Sequence, residues 1–210
     1  MCLIQKELTF MTESSTQPMK KSGDVEYPVV DLIQQRRSRR AYADTPVEQE
    51  KINSLFEAAR WAPSSSNEQP WVYLYATKAQ PELWNKIYDT LQNGNRIWAA
   101  KAPLLIVAMC RKTFIRNDRP NGSAKYDLGA ANSLLSLQAT QLGLNVHQMG
   151  GFERQLAIET LNIPDTHEPV VVMAIGYLGD REVLSENLKQ REVAPRERYT
   201  QEFFVMNKSF

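Results

Sequence analysis

The sequence is poor in the residues that most often do chemistry on their own. Its 210 residues hold two cysteines and two histidines. Cys2 lies near the start of the chain, and Cys110 ends an apolar run. A disulfide framework is therefore not expected, and a reducing, cytoplasmic setting is. Cys2, Cys110, His147 and His167 are scattered, with none of the spacings that close around a metal ion, so no metal is expected. His147 sits between apolar neighbours and reads as a packed side chain, whereas His167 sits in a polar turn and reads as exposed. There is no G-x-G-x-x-G, no Walker A loop, no H-E-x-x-H and no G-x-S-x-G. These absences argue against a Rossmann site, a phosphate loop, a zincin helix and a nucleophile elbow. Excess charge of one sign is also missing: the net charge is +1, giving no general attraction to nucleic acid or anionic lipid. Residues 128–152 carry no Asp, Glu, Lys or Arg, but Asn132, Ser133, Ser136, Gln138, Thr140, Gln141 and Asn145 interrupt them. They read as a buried helix with its following loop, not a membrane span. Residues 1–10 have no sustained apolar core and no small-residue cleavage site, so no signal peptide is expected.

What the chain does have is a core. Hydrophobic residues make up 42% of it. Residues 1–24 are rich in Ser, Thr, Gln and Lys and read as a mobile tail, with Met11 and Met19 as alternative starts. Residues 27–36 read as a first amphipathic helix. Thr45-Pro46-Val47-Glu48 reads as a capping box opening a helix to about Ala62, with Ile52, Leu55, Phe56 and Ala59 on one face. Residues 71–76 are aromatic and β-branched, hence a strand. Pro81 opens a helix that Asn93-Gly94-Asn95 ends. The uninterrupted apolar runs 104–109 and 170–177 read as strands covered on both faces. Between them come a surface loop at 111–124, a buried helix at 126–142 stopped by Gly143, a short strand or loop at 144–149 and a helix at 153–161. Residues 179–194 read as charged and loose, and 202–206 as a last strand. Helices separate the strands, which implies an α+β or α/β sandwich, one sheet with helices on both faces.

The chemistry-bearing features are polar groups in loops. Four arginines and a serine fall within residues 36–40. Guanidiniums offer paired donors to phosphate oxygens, and four of them together repel unless an anion sits among them. The plain alternative is a solvated patch at a helix end. The others are the loop of Ser64, Ser65, Asn67 and Gln69, the pair Asn93 and Asn95, the glycines Gly150 and Gly151, and the arginines Arg196 and Arg198. Such an inventory suits holding a cofactor that brings its own chemistry better than it suits acid–base catalysis.

Six motifs occur in order: R-R-S-R-R-A-Y at 36–42, A-P-S-S-S-N-E-Q-P-W at 62–71, D-L-G-A-A at 127–131, G-G-F at 150–152, I-G-Y-L-G at 175–179 and R-E-R at 196–198. Through them the chain resembles the flavin-dependent nitroreductases over residues 29–198. The resemblance implies an α+β three-layer sandwich, with one mostly antiparallel sheet and helices on both faces. It also implies an intertwined homodimer with an FMN at each of two interface sites. Arg36 and Ser38 match positions that hold the FMN phosphate, with Arg37 between them, and Arg196 and Arg198 match positions that hold it from the other end of the chain. Arg40 matches a basic residue near the ribityl and pyrimidine side. Pro63, Ser64 and Ser65 match a loop that the partner subunit lays against the flavin, and Asn67 and Gln69 extend it. Gln148, Met149, Gly150 and Gly151 match the segment whose backbone faces the ring. Asn95 is one of three residues, with Asn93 and Arg96, that could sit at the flavin N1–C2 edge.

Residues 1–24 are then a tail, 25–195 the flavin-binding domain and 196–210 an arm reaching the partner. The implied activity passes electrons from NADH or NADPH through FMN to nitroaromatics, quinones or similar acceptors by a ping-pong shuttle, with no catalytic side chain of the protein's own. Two other readings stand beside it. One is a specialised flavin enzyme of the same fold, such as a dehalogenase, for which the loop at 111–125 is the available lid. The other is a nucleic-acid-binding protein using residues 36–40, against which the near-zero net charge argues.

Overall fold

In a computed structural model, the structure describes residues 21–209. Its elements are β1 (Lys21–Ser22), α1 (Asp31–Gln35), α2 (Gln49–Arg60), β2 (Trp71–Thr77), α3 (Pro81–Asp89), α4 (Asn93–Ala99), β3 (Leu104–Arg111), α5 (Ala124–Gln141), β4 (Leu144–Met149), α6 (Arg154–Thr160), β5 (His167–Tyr177), α7 (Glu186–Val193), β6 (Arg198–Tyr199) and α8 (Gln201–Phe204). They form two compact units, Val29–Ala194 and a smaller one in which residues 21–28 and 195–209 come together.

The larger unit is built on a four-stranded sheet of order β2-β3-β5-β4, every pair antiparallel. Successive side chains of a strand point to opposite faces. On β3, Leu105, Val107 and Met109 enter a core with Trp84 and Ile87 of α3, Trp98 and Ala99 of α4, Ala157 of α6 and Leu188 of α7. Leu104, Ile106, Ala108 and Cys110 enter a second core with Ile52, Leu55 and Ala59 of α2 and Leu128, Ala131, Leu135 and Ala139 of α5. The unbroken apolar run of β3 therefore serves two cores at once. The architecture is α+β, one antiparallel sheet between two helical layers.

Several local readings need correction. The first helix is shorter than residues 27–36: it occupies Asp31–Gln35 and buries none of its residues. Proline at 28 disfavours helical backbone just before it. The second helix starts at Gln49 with Glu48 at its N-cap, so Thr45 does not cap it. A capping box needs the Glu48 carboxylate to turn back. Here it accepts from the Tyr177 hydroxyl at 2.6 Å and pairs with Lys51. Asn93-Gly94-Asn95 opens α4 rather than closing α3, because the 92–95 turn is fastened to Gly151. Residues 179–194 are not loose: they form a 3-10 turn at Arg181–Val183 and then α7, pinned by buried Leu184 and Leu188.

In the smaller unit, β1 pairs antiparallel with β6, Lys21 opposite Tyr199. Residues 21–22 of the expected tail are thus strand, and 1–20 lie outside the described residues. The expected strand at 202–206 is the short helix α8 followed by extended Val205. Tyr199 of β6 and Phe203 of α8 stack at 4.4 Å, a closeness that continued extended backbone, at about 3.3 Å per residue, does not allow for residues four apart.

Close approach of two chain segments sets one testable demand. Gly179 N donates to Ala41 O at 3.0 Å, next to the bridge of Tyr42 with Leu178. A Cβ at 179 would lie 2.3 Å from the Tyr42 carbonyl carbon and 2.4 Å from its oxygen. These are backbone atoms and cannot swing away. Gly179→Ala should destabilise the fold by about 1–3 kcal/mol, read as a lowered urea midpoint with unchanged m.

Candidate functional site

The arginine cluster leaves α1 and runs along the end of α7. Arg37 Nη2 donates to Ala194 O at 2.6 Å, and Arg39 Nη1 donates to Glu192 O at 2.5 Å. The Glu192 side chain is 3% exposed. Its Oε1 accepts from the Arg40 backbone N–H at 2.7 Å and its Oε2 lies 3.7 Å from Arg39 Nη1, with Arg40 Nη1 at 4.0 Å from Oε1. The anion that four neighbouring guanidiniums call for is, in part, the chain's own carboxylate, helped by carbonyls at a helix C-terminus. Arg40 stands over the Trp98 ring, 6.0 Å to the centroid, and Trp98 lies 4.5 Å from the His147 ring. Burial, then the neighbouring Arg191 charge, lowers the Arg40 pKa, while Glu192 works against them.

Arg36 and Ser38 turn to the other side. Arg36 Nη1 donates to Ser38 Oγ at 3.4 Å. Both line a cavity of about 490 Å³ with Ile33, with Ser133, Ser136 and Leu137 of α5, and with Val146 and Gln148 of β4. Gln148 Nε2 donates to Ser136 Oγ at 3.1 Å, and Ser136 Oγ donates to Asn132 O at 2.7 Å. The Tyr73 hydroxyl donates to Asn132 Oδ1 at 2.9 Å. Three residues singled out in the sequence, Arg36, Ser38 and Gln148, thus border one space.

At the end of β4, Met149 is buried in the core, and Gly150 just beyond it is exposed. The close approach falls at Gly151. Its carbonyl accepts from Gln92 N at 3.1 Å and from Asn95 Nδ2 at 3.0 Å. A Cβ there would come within 3.0 Å of both the Asn95 and the Gln92 side chains, while one at Gly150 would meet nothing. Asn95 is therefore the member of its trio beside the glycine pair. Arg96 turns to Asp89 at 2.7 Å and to the Tyr88 ring.

The loop after Pro63 has its own frame. Ser65 N donates to buried Asp127 at 3.1 Å, Gln69 N to Ser64 Oγ at 3.0 Å, and Gln69 Nε2 to Asn67 O at 3.2 Å. Ser66, Asn67 and Gln69 hold φ of 54°, 53° and 51°, a left-handed conformation costly for a non-glycine residue. Asp127 lies in the first turn of α5, whereas the cavity meets that helix at Ser133–Leu137. At about 1.5 Å per residue the separation is roughly 9–15 Å. Within one chain this loop does not line the cavity. Arg196 and Arg198 belong to the smaller unit, where Arg198 opens β6 and donates to Glu197 O at 2.8 Å.

Sequence reasoning missed Glu192, Ser133 and Ser136. The serines sat in a helix read for its packing. Glu192 had a signal: Leu184, Leu188 and Glu192 recur every four residues, which puts the acid on a core-facing stripe.

A family model described as Nitroreductase matches residues 33–177. The chain belongs to the nitroreductase family. Among solved structures it is similar to one described as an oxidoreductase containing FMN, with a TM-score of 0.84 and 35% identity, covering 89% of this chain and 95% of that one. A nitroreductase family protein from Clostridium difficile 630 matches with a TM-score of 0.68 and 26% identity, over 88% of this chain and 100% of the other. The FMN reductase (NAD(P)H) of Bacillus subtilis strain 168 is 28% identical over 188 residues, which is 81% of this chain and 74% of that protein. Among the described residues of this nitroreductase, no group of three or more His, Cys, Asp and Glu could hold a metal ion, and no helix is long and apolar enough to cross a membrane.

His147 gives the nitroreductase a pH dependence of defined sign. Its Nδ1 faces Arg39 O at 3.0 Å and so donates to it. Burial, with the Arg40 and Arg191 charges adding to it, lowers its pKa to about 4 from the ordinary 6.5. Well above pH 6.5 the ring is neutral in both folded and unfolded chains and contributes no pH dependence. As pH falls from 6.5 towards 4, the unfolded chain takes a proton that the folded chain refuses, and stability drops by up to about 3 kcal/mol. His147→Gln should lose less stability than the parent between pH 7 and pH 4.5, measured by urea unfolding at both. Equal losses would assign the acid sensitivity elsewhere.

Proposed function

We propose that this nitroreductase binds FMN at the cavity bordered by Arg36, Ser38 and Gln148, and uses it to pass electrons from NADH or NADPH to nitroaromatic, quinone or similar acceptors in ping-pong fashion. The observation that carries the reading is the lining of that cavity. A guanidinium and a hydroxyl stand on one wall, and two serine hydroxyls and a carboxamide on the facing helix and strand. A phosphate monoester asks for the first pair; Ser133 and Ser136 spend their O–H on Gly129 O and Asn132 O, leaving oxygen lone pairs, with that of the Gln148 carboxamide, to accept from a polyhydroxyl chain, so the polar set fits the phosphate and ribityl part of FMN. When bound, FMN supplies the two-electron chemistry, accepting hydride from the nicotinamide and yielding the electrons to the acceptor.

The chain's own part is binding and charge placement. Arg36 and Ser38 would hold the phosphate, and Arg37 backs the segment through its bond to Ala194; Arg196 and Arg198 are further phosphate ligands in this proposal. Arg40, held between Glu192 and the Trp98 ring, would be the fixed cation that stabilises negative charge on the reduced flavin. Gly150 leaves open space for a flat ring, and Asn95 holds the backbone beside it. Neither His147 nor Cys110 is placed for proton or nucleophile work: burial depresses the imidazole and pushes the thiol pKa up. The nucleic-acid reading loses its basis, because Arg37, Arg39 and Arg40 are fastened to the end of α7.

Function and clamp are tested together. Purified protein should absorb as a flavoprotein and oxidise NADH or NADPH, with parallel double-reciprocal lines across acceptor concentrations. Each charge-assisted bond is worth about 1.5–3 kcal/mol. Arg36→Ala or Arg198→Ala should therefore weaken FMN roughly ten- to hundredfold in a flavin fluorescence titration. Unchanged affinity would remove that arginine from the site.

The site is shared between two copies of the chain in this proposal. Its support is the distance of the 64–69 loop from the cavity of its own chain, and the outward face of α5, where Tyr126, Gly129 and Ser133 are exposed. The exposed run Phe203, Phe204, Val205 and Met206 is a second apolar surface for a partner to cover. Chain cut after Arg198 should lose dimer stability and bound flavin together, by light scattering and absorbance. A truncated protein that stays a flavin-loaded dimer at low concentration would refute the role of residues 199–210 as an arm reaching the partner.

A further inference from the structure

Among the described residues two carboxylates are buried, Asp127 and Glu192. Asp127 accepts from the Ser65 backbone; Glu192 accepts from the Arg40 backbone. Glu192 does more than accept one bond. Its Oε2 faces the Arg39 guanidinium, its Oε1 lies within 4.0 Å of that of Arg40, and its own carbonyl takes the Arg39 donor. Two residues on, the Ala194 carbonyl takes Arg37. Residues 37, 39 and 40 are thereby drawn to the end of α7, while Arg36 and Ser38 line the cavity.

We infer that Glu192 is the positioning residue of the phosphate-holding segment: its buried negative charge gathers the arginines beside it, so that Arg36 and Ser38 face the cavity before any ligand enters. This rests on the FMN reading above. Both shape and charge contribute. The carboxylate oxygen holds the Arg40 N–H, which an amide oxygen also does, but a neutral amide does not offset the mutual repulsion of adjacent guanidiniums. Nothing else buried at this end of α7 carries negative charge among the described residues. A ligand phosphate meeting a segment already in place loses less freedom on binding than one that must assemble it.

The test separates charge from shape. Glu192→Gln keeps size and the acceptor for Arg40 N–H and deletes the charge; Arg39→Gln/Glu192→Gln deletes one charge of each sign. Far-UV circular dichroism checks folding, and FMN fluorescence titration reads the Kd. Glu192→Gln should raise the Kd roughly tenfold, comparable to losing the partner that orients a metal ligand, and the double variant should recover most of it. Should the single variant not fold, a double variant that folds and binds FMN supports the same conclusion. Wild-type affinity in Glu192→Gln overturns the inference. So does a double variant that binds FMN as weakly as the single one, or one that does not fold. Wild-type protein that takes up no FMN overturns the flavin reading, and this inference with it; normal wild-type uptake beside an unaffected Glu192→Gln overturns only the role of Glu192.

Discussion

Strand β3 bonds to a neighbour along each edge and packs against helices on each face. Its residues from Leu104 to Cys110 are buried, and the two side-chain sets feed separate cores. That constraint decides where anything else in the larger unit can be. No ligand reaches the middle of such a sheet, so polar function is displaced to the edge strand β4, to helix ends and to loops. The cavity obeys this rule, lying where β4, α5 and the segment after α1 meet. On β4, Val146 is buried in a core and Gln148, two residues on, is exposed, and both border the cavity, so one edge strand serves the core and the cavity at once.

Two buried carboxylates each hold one polar segment, Asp127 the loop after Pro63 and Glu192 the run of arginines. Each lies on a helix of the larger unit and holds a backbone N–H of a segment that carries polar side chains outward. A buried acid is stable only with its bonds made, which couples the shape of both segments to the packing of α5 and α7. Left-handed Ser66 and Gln69 are tolerated in the 64–69 loop under the same discipline, since Ser64 Oγ and Asp127 fix the backbone around them.

The sheet was legible because burial on both faces writes itself as unbroken apolar runs at 104–109 and 170–177. The long helix was legible from small and apolar residues stopped by Gly143, whose φ is +74°. Arg36, Ser38 and Gln148 could be named, and they border one cavity. What could not be read was decided by contacts distant in sequence. Asn93-Gly94-Asn95 has the local chemistry of a stop, yet bonds to Gly151 make it a helix start. Glu48 resembled half of a capping box until Tyr177 claimed its carboxylate. Residues 179–194 looked loose because their charges outnumber their anchors, and two leucines with one buried acid were enough to order them.

The strand order carries a consequence for how the chain assembles as it is made. β5 lies between β3 and β4, yet is the last of the four to be synthesised. Until residue 177 has emerged, β4 has no neighbour in the sheet and the β2–β3 pair keeps one edge open. Such pairings between distant segments form slowly, and an open edge on an apolar strand invites pairing with other chains. Nascent chains of this protein thus spend their most vulnerable interval after α5 is complete and before β5 slots in, which makes the apolar run at 170–177 the closing piece of the sheet.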